Sequence, residues 1–486
     1  WRIKYDPPVT VNVVNSEMPY VPFPKGDSAS NNNWTRAYEE ELGIKTNFLW
    51  VADAAQYTQK LNASIASGDL PDMFTVSAAQ FKELVENDML EDLSEVFLKY
   101  ATDDVRAAIE EYGPYPLAGA TVDGRLMGIP FGDNSKNWAP GMWIRTDWLK
   151  KLGLEVPKTT QELENVMIAF ATKDPDGNGK DDTFCGNFNK TLFSGYSQYA
   201  NSAVAMAYGA YPEAWYEKDG KIICGAIQPE MKEALMAYKR LYEAGAINKE
   251  FATIDASKAN ESIINDKVGI VFGGYYGAAS LLRNMVTSTK KTDIWKFYAI
   301  PKSDGSGAMP TVYETSSTYH VVRKGYEHPE VLIKLANMFY QEFSMNGTDH
   351  ERFLRFVQND SGTNPIWNAG LFQVYSPKQS LSDYENIANA LSGKDPDGMS
   401  KASYLGQGFY KGGLEFRDKK GSEDEWLTKW CWWVMACPEY ESPAMKLTLE
   451  KYWNVNNYVA NLYNGLLPTE VNDKYAFLEQ KRAEEF

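Results

Sequence analysis

The stretch Lys173–Phe184 reads KDPDGNGKDDTF, with four aspartates, one asparagine and two glycines. Counted from Asp174 as position 1, Asp174, Asp176 and Asn178 fall at positions 1, 3 and 5, and Asp182 at position 9. Gly179 takes position 6, where the loop must turn sharply, and Lys180 at position 7 offers its backbone carbonyl. This is the first three-quarters of an EF-hand-type calcium loop. A hard dication takes six to eight oxygens at about 2.4 Å, and alternate side chains of a tight loop converge on one point. Without a cation, carboxylates this close would repel. Position 12, where a bidentate glutamate is expected, is Cys185. The loop follows a predicted helix and has no nearby histidine, so its calcium is expected to be structural. The segment KDPDGMS, Lys394–Ser400, begins identically but has Met399 where a ligand belongs, and reads as a plain turn.

Other chemistry is sparse. The three histidines, His320, His328 and His350, form no HExxH-like array, and surface or capping roles are expected for them. There is no GxSxG nucleophile elbow, no P-loop and no dinucleotide fingerprint. Carboxylates are plentiful, yet no pair stands out as a glycosidase acid and base. The four cysteines show neither CxxC nor zinc spacing. Buried thiols are expected, with one bridge left open.

Composition narrows the partners. A formal net charge of −16 without a basic stripe argues against nucleic acid. No run of 18 apolar residues exists that would span a bilayer as a helix. Aromatic residues reach 14%, including 14 Trp and 30 Tyr. Such rings either pack a large core or line a site for flat, partly apolar ligands such as sugars.

The elements that must position these residues follow from periodicity. VTVNVV (Val9–Val14) alternates as a strand. WTRAYEEELG reads as a helix stopping at Gly43. KTNFLWV is a second strand, and YTQKLNASIASGDLPDMFTVS holds a helix, a turn and a third strand. Ser77 with Gln80, and Thr159 with Glu162, make capping boxes. DKVGIVFGGYYG, IWKFYAIP and STYHVVRKG are further strands, and Pro329 opens a helix. The last third is Trp- and Tyr-rich and mainly helical; in it KWCWWVMAC (Lys429–Cys437) reads as a buried helix. At 486 residues the chain calls for two lobes. Alternating strands and helices predict mostly parallel sheets with helices on both faces, and ligands at the carboxyl ends of the strands.

Several stretches, in order, resemble one family: LNASIASGDLPDMFTV, GRLMGIPFGDN, MWIRTDWLKKLGLEVPKTTQELENVMIAFATKDPDGNGKDDTF, DKVGIVFGG and YHVVRKGYEHPEVLIKLANMFY. They are similar to extracellular solute-binding lipoproteins of bacterial carbohydrate ABC transporters, over roughly residues 9 to 345. The resemblance implies an α/β, two-lobed fold of the periplasmic-binding-protein kind (type II). Each lobe is a doubly wound sheet, and the ligand cleft lies between lobes that close by hinge motion. One lobe is expected over 1–133 plus 300–345, the other over 140–298 plus 350–486. Crossings are expected near 132–141, 298–302 and 345–350. The acidic loop binds calcium in this branch of the family. An acidic residue often follows the ninth position there; here it is Thr183.

Cleft loops follow strand ends, so the ligand residues expected are Asn33, Trp34, Ser77, Gln80, Asp133, Asn134, Tyr275, Tyr276, Glu314 and Trp367. Trp143 and Trp148 read as lobe core. The metal ligands expected are Asp174, Asp176, Asn178, Lys180 and Asp182. The resemblance implies a monomeric, non-enzymatic capture protein that delivers an oligosaccharide to a membrane permease. It would sit on the outer surface of a bacterium, Gram-positive in type by the branch it resembles, with its lipid anchor on a cysteine upstream of Trp1. A carbohydrate-active hydrolase or lyase, or the same fold binding a peptide or charged sugar derivative, are the alternatives.

Overall fold

The computed structural model describes residues 1–18, 21, 23–131, 136–193, 200–313, 316, 318–344, 350–357 and 366–462. The first lobe is built on a five-stranded sheet. Its order is Ile44–Ala52, Val9–Ser16, Met73–Ser77, Thr318–Val322, Ile129–Phe131. The first three strands are parallel, and Thr318–Val322 runs antiparallel to both its neighbours. Valines at positions 11 and 13 face the core, as the alternation of VTVNVV requires.

Local signals set the helices between these strands. Asn32 caps helix Asn33–Leu42 by accepting from the Trp34 and Thr35 N–H groups. Gly43 ends the helix at φ 66°. A Cβ there would stand 2.4 Å from the Tyr5 carbonyl oxygen, so glycine is required twice over. Ser77 and Gln80 form the expected capping box at helix Ala78–Glu86. At helix Thr160–Thr172, Thr159 accepts from the Glu162 N–H, while the Glu162 carboxylate reaches one residue further back, to the Lys158 N–H.

The second lobe has a three-stranded sheet, Ile270–Gly273, Gly141–Arg145, Trp295–Tyr298. Its central strand is antiparallel to both edges, unlike the parallel pattern expected. The cause is connectivity: Gly141–Arg145 leaves the first crossing and runs away from the cleft, whereas its neighbours run toward it. Period-two alternation feeds two cores. Met142, Ile144, Ile270 and Phe272 face one. Trp143, Val271, Trp295 and Phe297 face the other, with helix Trp430–Ala436. Trp143 and Trp148 are each 1% exposed, and Trp430 and Cys431 are buried, as read from sequence. Beyond residue 375 the described chain is mainly helical.

Two expected boundaries differ. Ile300 and Ala308, expected in the first lobe from residue 300 on, belong to the second-lobe core, so that crossing lies after Ala308 and not at 298–302. Phe356, Ile366, Ala369, Leu371, Phe372 and Val374 all belong to the first-lobe core, whereas the sequence reading places 350–374 in the second lobe. Leu381 is the next buried residue to join the second lobe. The chain therefore crosses between Val374 and Leu381. Residues 345–349 lie outside the described residues.

All four cysteines are free, three of them buried. Among the described residues, no helix is long and apolar enough to cross a membrane.

Candidate functional site

Register fixes which ends of the sheets face the crossings. In the first lobe, Thr318 lies opposite both Ser77 and Phe131. In the second, Gly141 lies opposite Gly273, and Met142 opposite Tyr298. The segment between Phe131 and Gly141 joins these two edges.

The predicted ligand residues divide against this frame. Asp133, Asn134 and Glu314 lie outside the described residues. Ser77 is exposed at its strand end, and Gln80 sits one turn on. Gln80 is occupied on both sides: its oxygen accepts from the Ser77 N–H at 3.0 Å, and its amide donates to Asn62 at 2.7 Å.

Trp34 is corrected. It is wholly buried, stacks on Phe339, and its indole N–H donates to the Phe356 and Ile366 carbonyls. Asn33 donates to the Arg355 carbonyl at 2.7 Å. These two residues therefore fasten Arg355, Phe356 and Ile366 to the first lobe. Neither the Trp34 ring face nor its N–H is left for a ligand.

Tyr275 is also corrected, being 1% exposed. It lies under Trp138, with ring planes 10° apart and centroids 5.7 Å apart. Tyr276 is partly buried and meets the same indole edge-on at 5.2 Å. Trp138 is the residue the sequence reading missed. Its signal was present: it is the sole tryptophan in GDNSKNWAPG, the stretch expected to cross between lobes.

Partly buried rings continue on both sides. In the second lobe, Tyr276 approaches Trp432, which stacks on Phe409 at 4.2 Å. In the first lobe, Phe131 meets Tyr375 at 5.6 Å, and Trp367 packs between Phe343 and Tyr375. The crossing after Val374 ties the two groups. Tyr375 touches Phe131, and the Ser380 side chain lies beside the Tyr275 hydroxyl. Glu111 of the first lobe accepts from the Ser376 hydroxyl and from the Lys378 N–H.

A cavity of about 530 Å³ lies between the lobes. It is lined by Tyr115 from the first lobe, by Tyr208, Tyr211 and Tyr216 from the second, and by Tyr458. Tyr458 donates to the Lys136 carbonyl at the first crossing. Tyr208 donates to Glu164 at 2.8 Å, and the Arg240 guanidinium grips the same carboxylate with two bonds of 2.6 and 2.7 Å. Lys302 and Glu230 add charge to the wall. Rings with polar tips beside charged groups suit a hydroxylated, partly apolar ligand.

His320 is not at the surface, against expectation. It is 4% exposed, between Phe131 and Phe372. One ring nitrogen meets the Thr75 hydroxyl at 2.9 Å and the other the Gln373 carbonyl at 3.2 Å. Those two partners suit a neutral ring, with one donor and one acceptor. Burial lowers its pKa from 6.5 to about 4. His328 stands edge-on to Tyr5 and Tyr326, 3.5 Å from the Glu330 carboxylate.

The acidic loop turns as its spacing requires. Asp174 has φ 44°, and Gly177 and Gly179 have φ near 78° and 77°. The Asp174 carboxylate accepts from the N–H groups of Gly177, Asn178 and Gly179. Between Asp176 and Asp182 lies the ammonium of Lys267, at 3.3 and 2.6 Å, and the Asn178 amide also donates to both. This arrangement holds Asp182 below the usual carboxylate range, Lys267 first and Asn178 second among the causes. Thr183 donates to the Phe170 carbonyl and is buried, and Cys185 is fully buried with its thiol pKa pushed up by burial. Neither can complete a metal shell. Among the described residues, no three carboxylates, imidazoles or thiols gather into a cluster ready for a metal. The donor chemistry of Asp174, Asp176, Asn178, Lys180 and Asp182 still fits a hard cation, and a cationic group already stands between two of the carboxylates.

The motifs that carry the resemblance brace each lobe from within. Asp72, from ASGDLPD, is buried and accepts from the Asn12 N–H at 2.7 Å and from Arg323 at 2.8 Å. Arg145, from IRTDW, is 1% exposed and lies 4.4 Å from the Trp148 ring and 5.7 Å from that of Trp295. It pairs with Asp147 at 2.6 Å and with Asp266.

A two-lobed α/β frame with three crossings and aromatic rings at the junction defines the class of periplasmic-type binding proteins. The family described as bacterial extracellular solute-binding protein matches residues 23–342, and the chain belongs to it. It is 32% identical over 238 residues to the lipoprotein LipO of Bacillus subtilis, across 49% of this chain and 45% of LipO. It is 29% identical over 252 residues to the fructooligosaccharide ABC transporter substrate-binding protein FusA of Streptococcus pneumoniae, across 48% of this chain and 45% of FusA. The chain thus matches under half the length of these relatives. Among solved structures, FusA with kestose has a TM-score of 0.54 at 21% identity, covering 76% of this chain and 78% of FusA. An extracellular solute-binding protein of Bifidobacterium longum has a TM-score of 0.56 at 21% identity, covering 88% of this chain and 99% of that one. These establish the fold. Another solved FusA structure is described as an EF-hand mutant.

Proposed function

We propose that this protein captures an oligosaccharide outside the cell and passes it to the membrane permease of an ABC transporter. The observation that carries the proposal is the set of partly buried rings from both lobes around the crossings, Phe131, Tyr375 and Trp367 on one side and Trp138, Tyr276 and Trp432 on the other. Sugar rings stack on such faces, and neighbouring carboxylates and amides bond their hydroxyls. Lobe closure buries the ligand, and reopening at the permease releases it. Capture needs no covalent step, and the curated relatives are named for binding or as lipoproteins. A lipid anchor upstream of Trp1 would hold the protein at the cell surface, as a monomer.

The acidic loop then takes one structural calcium through Asp174, Asp176, Asn178, Lys180 and Asp182. The dication would neutralise the carboxylates and fix the link between helix Thr160–Thr172 and the body of the second lobe.

A thermal-shift screen against plant, host and microbial oligosaccharides tests the main reading. At 100 times Kd a ligand stabilises by about 2.7 kcal/mol, which is a clear shift in Tm. The ligand should be recovered unchanged by chromatography. New reducing ends would replace capture with hydrolysis, and no shift with any glycan would remove the sugar assignment.

A further inference from the structure

The acidic loop carries its own cation. Lys267 is fixed opposite the loop by backbone pairing. The Phe184 N–H donates to the Lys267 carbonyl at 2.8 Å, and the Gly269 N–H donates to the Phe184 carbonyl at 3.0 Å. From that anchor its side chain, 28% exposed, reaches the carboxylates of Asp176 and Asp182. A second ammonium, Lys151, donates to the carbonyls of Asp174 and Pro175 at 3.2 and 3.0 Å. The loop is therefore closed at both ends by groups of the chain itself.

A metal shell here is short of ligands. Position 12 is the buried Cys185, and the Thr183 hydroxyl is spent on Phe170. Five protein donors remain, against the six to eight oxygens that calcium takes. Two of those donors, Asp176 and Asp182, are the ones Lys267 holds.

We propose that Lys267 is a built-in competitor for the loop's cation: its ammonium occupies the Asp176 and Asp182 carboxylates, so calcium binds only by displacing it. The inference rests on the calcium reading of this loop. Its consequence is a loop that keeps its shape when calcium is scarce and takes the ion weakly. An ammonium left within a few ångströms of a bound dication repels it, and a 1.4 kcal/mol penalty is tenfold in affinity.

The test compares the parent with Lys267→Met, which keeps the apolar stem, and with Lys267→Arg, which keeps the charge. Calcium affinity is measured by titration calorimetry, and Tm is read in calcium and in chelator. Lys267→Met should bind calcium about tenfold more tightly than the parent and lose more Tm on chelation. Lys267→Arg should stay close to the parent. Equal calcium affinity in parent and Lys267→Met overturns the competitor role while leaving the calcium reading intact. Absence of calcium binding in all three proteins overturns both. If Lys267→Met fails to fold, Lys267→Gln supplies the same comparison.

Discussion

His320 makes the stability of the first lobe depend on pH in a window where most carboxylates stay ionised. The buried ring has its pKa lowered from 6.5 to about 4. The unfolded chain binds a proton as pH falls through 6.5, and the folded chain does not until about 4. Stability present above pH 6.5 is therefore lost as pH falls toward 4. Each pKa unit is worth about 1.36 kcal/mol, so the full loss is about 3 kcal/mol, with about 2 kcal/mol gone by pH 5. The perturbation is His320→Gln, which removes the titration and keeps a donor and an acceptor for Thr75 and Gln373. Urea unfolding followed by tryptophan fluorescence, at pH 7, 6 and 5, gives the slope for each protein. Other ionisable groups contribute equally to both, so the difference in slope isolates His320. The parent should lose about 2 kcal/mol more than the variant between pH 7 and 5, whatever their absolute stabilities. Parallel slopes, or an NMR titration of His320 centred near 6.5, would refute the reasoning.

Three further outcomes can be checked. Arg145→Met should destabilise the second lobe by about 3 kcal/mol in urea, because Asp266 and Asp147 lose a buried partner; a loss under about 1 kcal/mol would mean that the two carboxylates are satisfied without it. Gly43→Ala should cost about 2 kcal/mol, combining left-handed backbone strain with the approach to Tyr5; Gly68→Ala, also left-handed but in open space, should cost less, and equal losses would place the whole effect in the backbone. Trp138→Ala should weaken the glycan found in the screen about thirtyfold by calorimetry, as loss of an aromatic anchor does, with circular dichroism unchanged; full affinity would move the site away from the first crossing.

How much of this was legible beforehand depends on the range of the interaction. Caps at Ser77 and Thr159, the stop at Gly43 and the turn of the acidic loop all rest on contacts a few residues apart, which spacing encodes. Trp143 and Trp148 read as core from the family motif in which they stand, and both are buried. Trp34 did not, because what covers it is Phe356 and Ile366, over 300 residues away. His320 lacked any local sign of burial: its partners Thr75 and Gln373 come from another strand and from the returning segment.

The sequence by itself determined the two-lobed α/β class, the strands and helix caps, and an acidic loop shaped for a cation. These follow from periodicity, from local hydrogen bonding and from glycines at left-handed positions. The tertiary structure alone decided that Phe356 and residues 366–374 complete the first lobe, that Trp138 stacks on Tyr275 at the crossing, and that Lys267 stands between Asp176 and Asp182. Each of these joins groups far apart along the chain, and nothing in the spacing of either partner specifies the other.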